Sequence, residues 1–262
     1  MKRLNFTKMV GAGNDFIVIE DKVSGLPALA RKLCDRKTGI GADGVLALEK
    51  TKRADFRMRV FNADGSEAEM CGNGLRCAVL FKGIKRTARV ETKAGIYEGE
   101  ISAKDRVKVK MQEPTDPRLD FPIEVGGRKI KVNFINTGVP HAIIFVEGVD
   151  KIDAEGIGSQ IRYHDEFKPK GTNVNFLEII DDNNIKIRTY ERGVEGETLA
   201  CGTGSVASAI ISGTNLKGPD IKVNVHTRGG ILKVEFQKIG GKIKNVYLEG
   251  EAKKVFIGGI YV

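Results

Sequence analysis

A five-residue phrase built around a cysteine occurs twice in this chain, and no other feature constrains its fold as strongly. Met70-Cys71-Gly72-Asn73-Gly74 stands in the first half and Ala200-Cys201-Gly202-Thr203-Gly204 in the second. The likeness extends outward on both sides. Met58-Arg59-Val60-Phe61 precedes the first cysteine as Ile187-Arg188-Thr189-Tyr190 precedes the second, and Thr92-Lys93-Ala94-Gly95 is echoed by Thr227-Arg228-Gly229-Gly230. Met58 and Ile187 stand 129 residues apart, whereas Cys71 and Cys201 stand 130 apart, so the second copy holds one extra residue between strand and cysteine. A period near half of the 262 residues is far longer than a solenoid repeat and points to duplication of a whole domain.

Length and composition agree with two domains. With 41% hydrophobic residues over 262 positions, each half can bury a core of its own. No stretch approaches the roughly 20 apolar residues of a membrane span. Met1-Lys2-Arg3-Leu4-Asn5 runs directly into strand-like sequence with no apolar core of a signal peptide, so a soluble, cytoplasmic protein without membrane partners is expected. The net charge of +9 comes from Lys and Arg interspersed with acids, and Trp is absent. That pattern argues against a nucleic-acid partner and suits attraction of small anions. Four cysteines in such a chain predict free thiols, and Cys71 and Cys77, six residues apart without paired histidines, lack metal-ligand spacing.

Strand signals alternate with turn signals along both halves. Leu4 to Val10 and Phe16 to Ile19 read as strands around a Gly-rich bend at Gly11 to Gly13. Pro27 to Cys34 reads as a helix, and the Gly39 to Gly44 run as a turn before a strand at Val45 to Leu48, since it lacks the Walker lysine and the full dinucleotide pattern. Phe56 to Phe61 alternates as a strand, Asn62 to Ser66 is turn chemistry, and Leu75 to Phe81 can wind as a helix after Cys71. Glu113-Pro114-Thr115-Asp116-Pro117 is the expected linker, because two prolines interrupt any ladder. The second half repeats the plan, with a helix at Ala154 to Arg162, strands at Val174 to Ile179 and Ile185 to Tyr190, and another helix over Ser205 to Ile211. The fold class expected is α+β: two pseudo-symmetric domains from an internal duplication, each a barrel-like, mostly antiparallel sheet around a central helix.

The cysteine phrases carry chemistry. A thiol at the start of a helix feels the positive end of the helix dipole, which favours the thiolate. The same helix start offers free backbone N–H groups at Gly72-Asn73-Gly74 and Gly202-Thr203-Gly204 that can hold a carboxylate. Inverting a carbon beside a carboxylate requires removal of a proton from one face and delivery to the other, which two matched acid/base groups accomplish without a cofactor.

Taken together, Gly13-Asn14-Asp15-Phe16, Phe61-Asn62-Ala63-Asp64-Gly65-Ser66, Glu69-Met70-Cys71-Gly72-Asn73-Gly74, Pro140-His141, Gly171-Thr172-Asn173, Tyr190-Glu191-Arg192-Gly193 and Glu197 through Gly204 resemble the diaminopimelate epimerase family nearly end to end. The resemblance implies interconversion of LL- and meso-2,6-diaminopimelate in lysine biosynthesis, acting on a small diamino dicarboxylic acid without pyridoxal phosphate or metal, by a homodimer. It implies a first domain of residues 1–116 completed by a final strand over 251–262, and a second domain of residues 117–250. Cys71 and Cys201 take the acid/base roles; Gly72, Asn73, Gly202 and Thr203 bind the reacting carboxylate; Asn14, Asn62, Asn173, Glu191 and Arg192 bind the amino groups and distal carboxylate. His141 and Glu191 help set the protonation of the thiols. Two positions depart from the family: Val139, where many members carry Asn, and Gly44, where many carry Gln.

Cys34 and Cys77 read as small core residues, and His164 and His226 as surface or packing residues. The rival readings are a proline racemase, whose group typically carries His where this chain has Asn73, a racemase of another amino acid such as histidine, and a binding protein without turnover. Binding alone requires neither thiol.

Overall fold

The computed structural model describes residues 3–20 and 23–261; Val262, the last residue of the expected final strand, lies outside the described residues. The first half contains strands β1 (Arg3–Gly11) and β2 (Asn14–Ile19), helix α1 (Leu26–Cys34), strands β3 (Gly44–Glu49), β4 (Phe56–Asn62) and β5 (Glu67–Ala68), helix α2 (Gly72–Lys82), and strands β6 (Ala88–Thr92), β7 (Gly95–Ala103) and β8 (Arg106–Lys110). There follow β9 (Thr115–Val125), β10 (Arg128–Asn136), β11 (Pro140–Phe145), helix α3 (Ala154–Arg162), β12 (Asn173–Asp181), β13 (Asn184–Glu191) and β14 (Gly196–Thr198). Helix α4 (Gly202–Gly213) and strands β15 (Asp220–Thr227), β16 (Gly230–Ile239), β17 (Lys242–Glu251) and β18 (Lys253–Tyr261) complete the chain. The chain divides into two compact units, Met1–Lys110 with Glu249–Val262, and Met111–Leu248.

Strand pairing repeats from one unit to the other. In the first, β18 pairs antiparallel with β1, β1 with β2, β3 with β4, β6 with β7 and β7 with β8, while β2–β3 and β4–β6 are parallel. In the second, β9 pairs antiparallel with β10, β10 with β11, β12 with β13 and β15 with β16, while β11–β12 and β13–β15 are parallel. The last strand of the chain therefore does for β1 what β9 does for β10. The parallel steps are crossovers through helices, β2–β3 through α1, β4–β6 through α2, β11–β12 through α3 and β13–β15 through α4, and the apolar faces of α1 and α3 cover the sheets: Leu26, Leu29, Ala30 and Leu33 against Ile17, Val45 and Phe61, and Ala154 and Ile161 against Val132, Ala142 and Val174.

Helices α2 and α4 are central. Helix α2 packs against β1, β2, β3, β4, β7, β8 and β18, and α4 against β10, β11, β12, β13, β15 and β16. Such enclosure buries most of each helix on every side, and small residues, Gly74, Cys77, Ala78, Gly204, Ala207 and Ser208, are buried among the larger ones.

Of the linker expected at Glu113 to Pro117, Glu113 and Pro114 lie in an irregular stretch just past the division between the units, while Thr115 to Pro117 start β9, which pairs along β10 through two register shifts. Prolines 117 and 122 are tolerated because the strand is bulged and its aspartates at 116 and 120 adopt positive φ (55° and 50°), so a missing N–H breaks no regular ladder. Helices α2 and α4 begin at Gly72 and Gly202, with each cysteine as the N-cap, which is the helix start that the cysteine phrases predict.

Candidate active site

In the first unit, a two-residue turn at Ala12 and Gly13, both with positive φ (50° and 86°), joins β1 to β2 and sets Asn14 at the first position of β2. Cys71 caps α2 from extended backbone, its Sγ accepting from the Gly74 N–H at 3.4 Å, so the sulfur lies at the positive end of the helix. Asn73, in the first turn, is buried and donates through Nδ2 to Asn14 Oδ1 at 2.6 Å. Asn14 Nδ2 donates to Asp43 Oδ2 at 3.0 Å, and Arg36 bonds both Asp15 and Asp43. Burial acts to raise the pKa of Asp15, but hydrogen bonds from Arg36 and Lys8 outweigh it and hold the carboxyl well below its usual range. Asn62 ends β4 across from Gly44, which is across from Phe16, so Asn14 and Asn62 lie at one end of three neighbouring strands. Asn62 is exposed and donates to Ser66 Oγ at 3.0 Å. At Gly44 a Cβ would meet the Phe61 carbonyl oxygen at 2.7 Å, so β3 and β4 close tightly there.

The second unit arranges its groups differently. Cys201 caps α4 and is buried, with Sγ 3.5 Å from Thr203 Oγ1. Thr203 Oγ1 lies 3.0 Å from His141 Nε2, and Asn175 Nδ2 lies 3.1 Å from His141 Nδ1. Asn175 also donates to the Ala142 carbonyl at 3.2 Å and accepts from Thr189 Oγ1 at 3.0 Å, so its nitrogen must face the imidazole. His141 Nδ1 is thus the acceptor, Nε2 carries the proton and donates to Thr203, and the threonine hydroxyl is left to donate to Cys201. Burial, reinforced by the charge of Arg192, pushes the pKa of His141 down to about 3, so the ring is neutral at physiological pH.

Glu191, at the end of β13, accepts from Thr198 Oγ1 at 2.5 Å; burial pushes its carboxyl up, and hydrogen bonds from Thr198 and Cys201 oppose the rise. Burial also pushes the Cys201 thiol far up, the charge of Glu191 adds to this, and the Thr203 bond works against it. Asn173 braces the turn, donating to the Pro140 carbonyl at 3.0 Å and accepting from the Arg192 N–H at 2.9 Å. Arg192 donates to the Lys170 carbonyl at 3.1 Å and borders a cavity of about 400 Å³ lined also by Arg118, Asn136, Val139, Lys168 and Lys170.

The structure joins Asn14 to Asn73 and links His141 through Thr203 to Cys201, with Glu191 beside the same thiol; Asn62 stays in its exposed turn. Asn175, Thr198 and Asp43 hold these groups and were not singled out from sequence. Asn175 carries the signal that could have found it: a polar residue at an inward position of an otherwise apolar strand, Asn173 to Leu177, demands a buried partner. Cys34 and Cys77 are buried core residues, His164 caps a 3₁₀ turn, and His226 bonds Asn184. Among the described residues, no group of three or more His, Cys, Asp and Glu side chains is placed to hold a metal ion, and no helix is long and apolar enough to cross a membrane.

Comparison with known proteins places this geometry. The chain is 45% identical to the diaminopimelate epimerase of Aquifex aeolicus, covering 97% of each chain, and 45% identical to that of Methanocella arvoryzae, covering 100% of this chain and 98% of the relative. Among solved structures it is similar in fold to a Bacillus anthracis phenazine biosynthesis protein of the PhzF family, with a TM-score of 0.78 at 18% identity and full coverage of both chains. A probable proline racemase from Agrobacterium radiobacter gives a TM-score of 0.71 at 18% identity, covering 99% of this chain and 93% of that one. At such identity the likeness is one of fold alone. The diaminopimelate epimerase profile matches residues 6–116 and 133–255, and with these relatives it shows that the chain belongs to the diaminopimelate epimerase family.

Proposed function

We propose that this chain interconverts LL- and meso-2,6-diaminopimelate, supplying lysine biosynthesis, with Cys71 and Cys201 as the two acid/base groups. The observation that carries the mechanism is the repeated cysteine N-cap: each unit sets one thiol at the positive end of an enclosed helix. One thiolate removes the α-proton and the other thiol returns a proton to the opposite face; in the reverse direction the roles exchange. The α-proton is weakly acidic, so the charge that develops on the carboxylate needs stabilising, and the N–H groups of Gly72, Asn73, Gly202 and Thr203 supply preorganised donors. Asn14, Asn62, Asn173, Glu191 and Arg192 bind the amino groups and the distal carboxylate, which Arg192 grips as a fork. His141 acts on Cys201 through the Thr203 hydroxyl. Glu191 sets the same thiol from its other partner.

The test is wash-in of solvent deuterium. LL-diaminopimelate incubated with the protein in D2O is expected to gain deuterium at the α-carbon, and Cys71→Ala and Cys201→Ala each to lose epimerisation while keeping the circular dichroism of the parent. Exchange with proline or histidine, and none with diaminopimelate, would overturn the substrate; full turnover by either single variant would overturn the two-base mechanism.

Two further features belong to this reading. Four free thiols suit the reducing cytoplasm. A homodimer is supported by the apolar side chains that β18 exposes, Val255, Phe256, Tyr261 and above all Ile257 at 77% exposure. Sedimentation is expected to give a dimer that Ile257→Lys weakens; a monomeric parent would refute it.

A further inference from the structure

The largest fully buried side chain of the protein is a cation: Arg76, in the second turn of α2, is 0% exposed. Among the described residues no carboxylate pairs with it, and its Nε is buried without a hydrogen-bond partner. Burying a guanidinium without a counter-charge costs several kcal/mol, so its remaining bonds must be specific. Nη2 donates to Asn73 Oδ1 at 2.6 Å, and Nη1 reaches the Gly72 carbonyl at 3.5 Å. The guanidinium has donors only, so Asn73 must turn its oxygen inward and its nitrogen toward Asn14. At the far end Asp43, a carboxylate with acceptors only, takes the Asn14 nitrogen at 3.0 Å. The middle link, Asn73 Nδ2 to Asn14 Oδ1 at 2.6 Å, has the one polarity both ends allow.

We propose that Arg76 is a positioning residue that, with Asp43, locks the orientation of the Asn73 and Asn14 side chains by capping their hydrogen-bond chain with a cation at one end and an anion at the other. The proposal rests on the reading that the Asn14 side chain binds substrate, with the Asn73 side chain holding it while the Asn73 backbone N–H serves the carboxylate. With both amides locked, the free lone pair of Asn14 Oδ1 keeps a fixed direction before the substrate arrives, so binding does not have to order it. The second unit needs no such cation: the residue matching Arg76 is Val206, and Thr203, which matches Asn73, is held by neutral His141.

The experiment compares Arg76→Met, Arg76→Lys and Asp43→Asn with the parent, measuring steady-state kinetics with LL-diaminopimelate and the side-chain amide protons of Asn73 by NMR, assigned through their loss in Asn73→Asp. Arg76→Met is expected to raise KM about tenfold, or about 1.4 kcal/mol, with kcat changed far less, and to shift and speed exchange of the Asn73 amide protons. Arg76→Lys restores a donor and recovers part of both effects. Asp43→Asn, at the exposed end of the chain, has the same sign and supplies the test if Arg76→Met does not fold. Unchanged Asn73 amide signals overturn the proposal, as does an unchanged KM where Asn14→Ala raises it. An unchanged KM in Asn14→Ala overturns the reading that this side chain binds substrate, and the proposal with it.

Discussion

The duplicated scaffold contains its own controlled experiment on buried charge. In β13 and β14, Arg188 grips Glu197 as a fork, Nε to Oε1 at 2.7 Å and Nη2 to Oε2 at 2.6 Å, and in β4 and β5 Arg59 grips Glu67 the same way at 2.8 and 2.9 Å. The forks match in chemistry and geometry, and each has a third member, Arg228 on Glu197 at 2.9 Å and Glu49 on Arg59 at 3.4 Å, but the side chains of the first pair are 9% and 8% exposed and those of the second 28% and 25%. Glu197→Gln removes the charge and turns an N–H toward a guanidinium that has no acceptor. Arg188 cannot leave, because its Nη1 also donates to the carbonyls of Val149, Asp150 and Ile152. Half of a buried pair is then left uncompensated, at a cost of about 3 kcal/mol. Glu67→Gln leaves Arg59 with water within reach and costs about 1 kcal/mol. A chain of two units need not unfold in one step, so native-state hydrogen exchange should read the two costs separately, from amides of β13 and β14 for the first and of β4 for the second. Equal costs, or a larger cost for Glu67→Gln, would refute the claim that burial sets the worth of these pairs.

Acidification tests His141. Its folded pKa of about 3 lies below the unfolded value of 6.5, so between the two only the unfolded chain takes up the proton, and stability falls as pH drops. The loss is about 1.4 kcal/mol per pH unit below 6.5. Urea unfolding at pH 7.5 and 5.5 is expected to show this slope in the parent and a shallower one in His141→Gln; identical slopes would contradict it. Two glycines in equivalent helix turns should respond differently to alanine. At Gly204 a Cβ would stand 2.4 Å from Asn175 Oδ1 and 3.3 Å from Cys201 Sγ, whereas at Gly74 its nearest neighbour is a movable Leu46 methyl at 2.9 Å. Gly204→Ala should cost about 2 kcal/mol and displace the His141 brace, while Gly74→Ala offsets its contact with about 1 kcal/mol of helix propensity; thermal melts that rank them the other way would refute the packing argument.

Periodicity reveals the parts of this fold in which side-chain pattern and backbone agree. The β4 and β13 strands alternate, and α3 runs over Ala154–Arg162 as its apolar spacing predicts. The cysteine phrases mark the starts of α2 and α4 although Gly-Asn-Gly and Gly-Thr-Gly are poor helix formers; enclosure by the sheet overrides that propensity. Strand β9 was hidden because its prolines forbid a regular ladder but not a bulged one. At the site, both cysteines announced themselves by repetition. Asn175, Asp43 and Arg76 did not, since each matters through a buried partner distant in sequence, and a polar residue reads as solvated until that partner is known.

The strand registers also locate the one-residue insertion. Phe61 lies across from Glu67, and Tyr190 across from Glu197, so five residues, 62–66, bridge β4 to β5 where six, 191–196, bridge β13 to β14. Val45 faces Phe61 as Val174 faces Tyr190, which matches Gly44 with Asn173 and Asn62 with Glu191; one strand further, Phe16 matches His141. Every pair in that row sets an uncharged residue of the first unit against a residue of the second that titrates or braces a titrating turn. The first unit instead keeps its charge inside the helix, at Arg76. On the proposed mechanism, the backbone donors at both helix starts recur in the two units because a carboxylate requires them whichever thiol acts. Divergence was free to proceed in the turns and beneath the helix, where a cation tunes one end and a carboxyl with a neutral imidazole tunes the other.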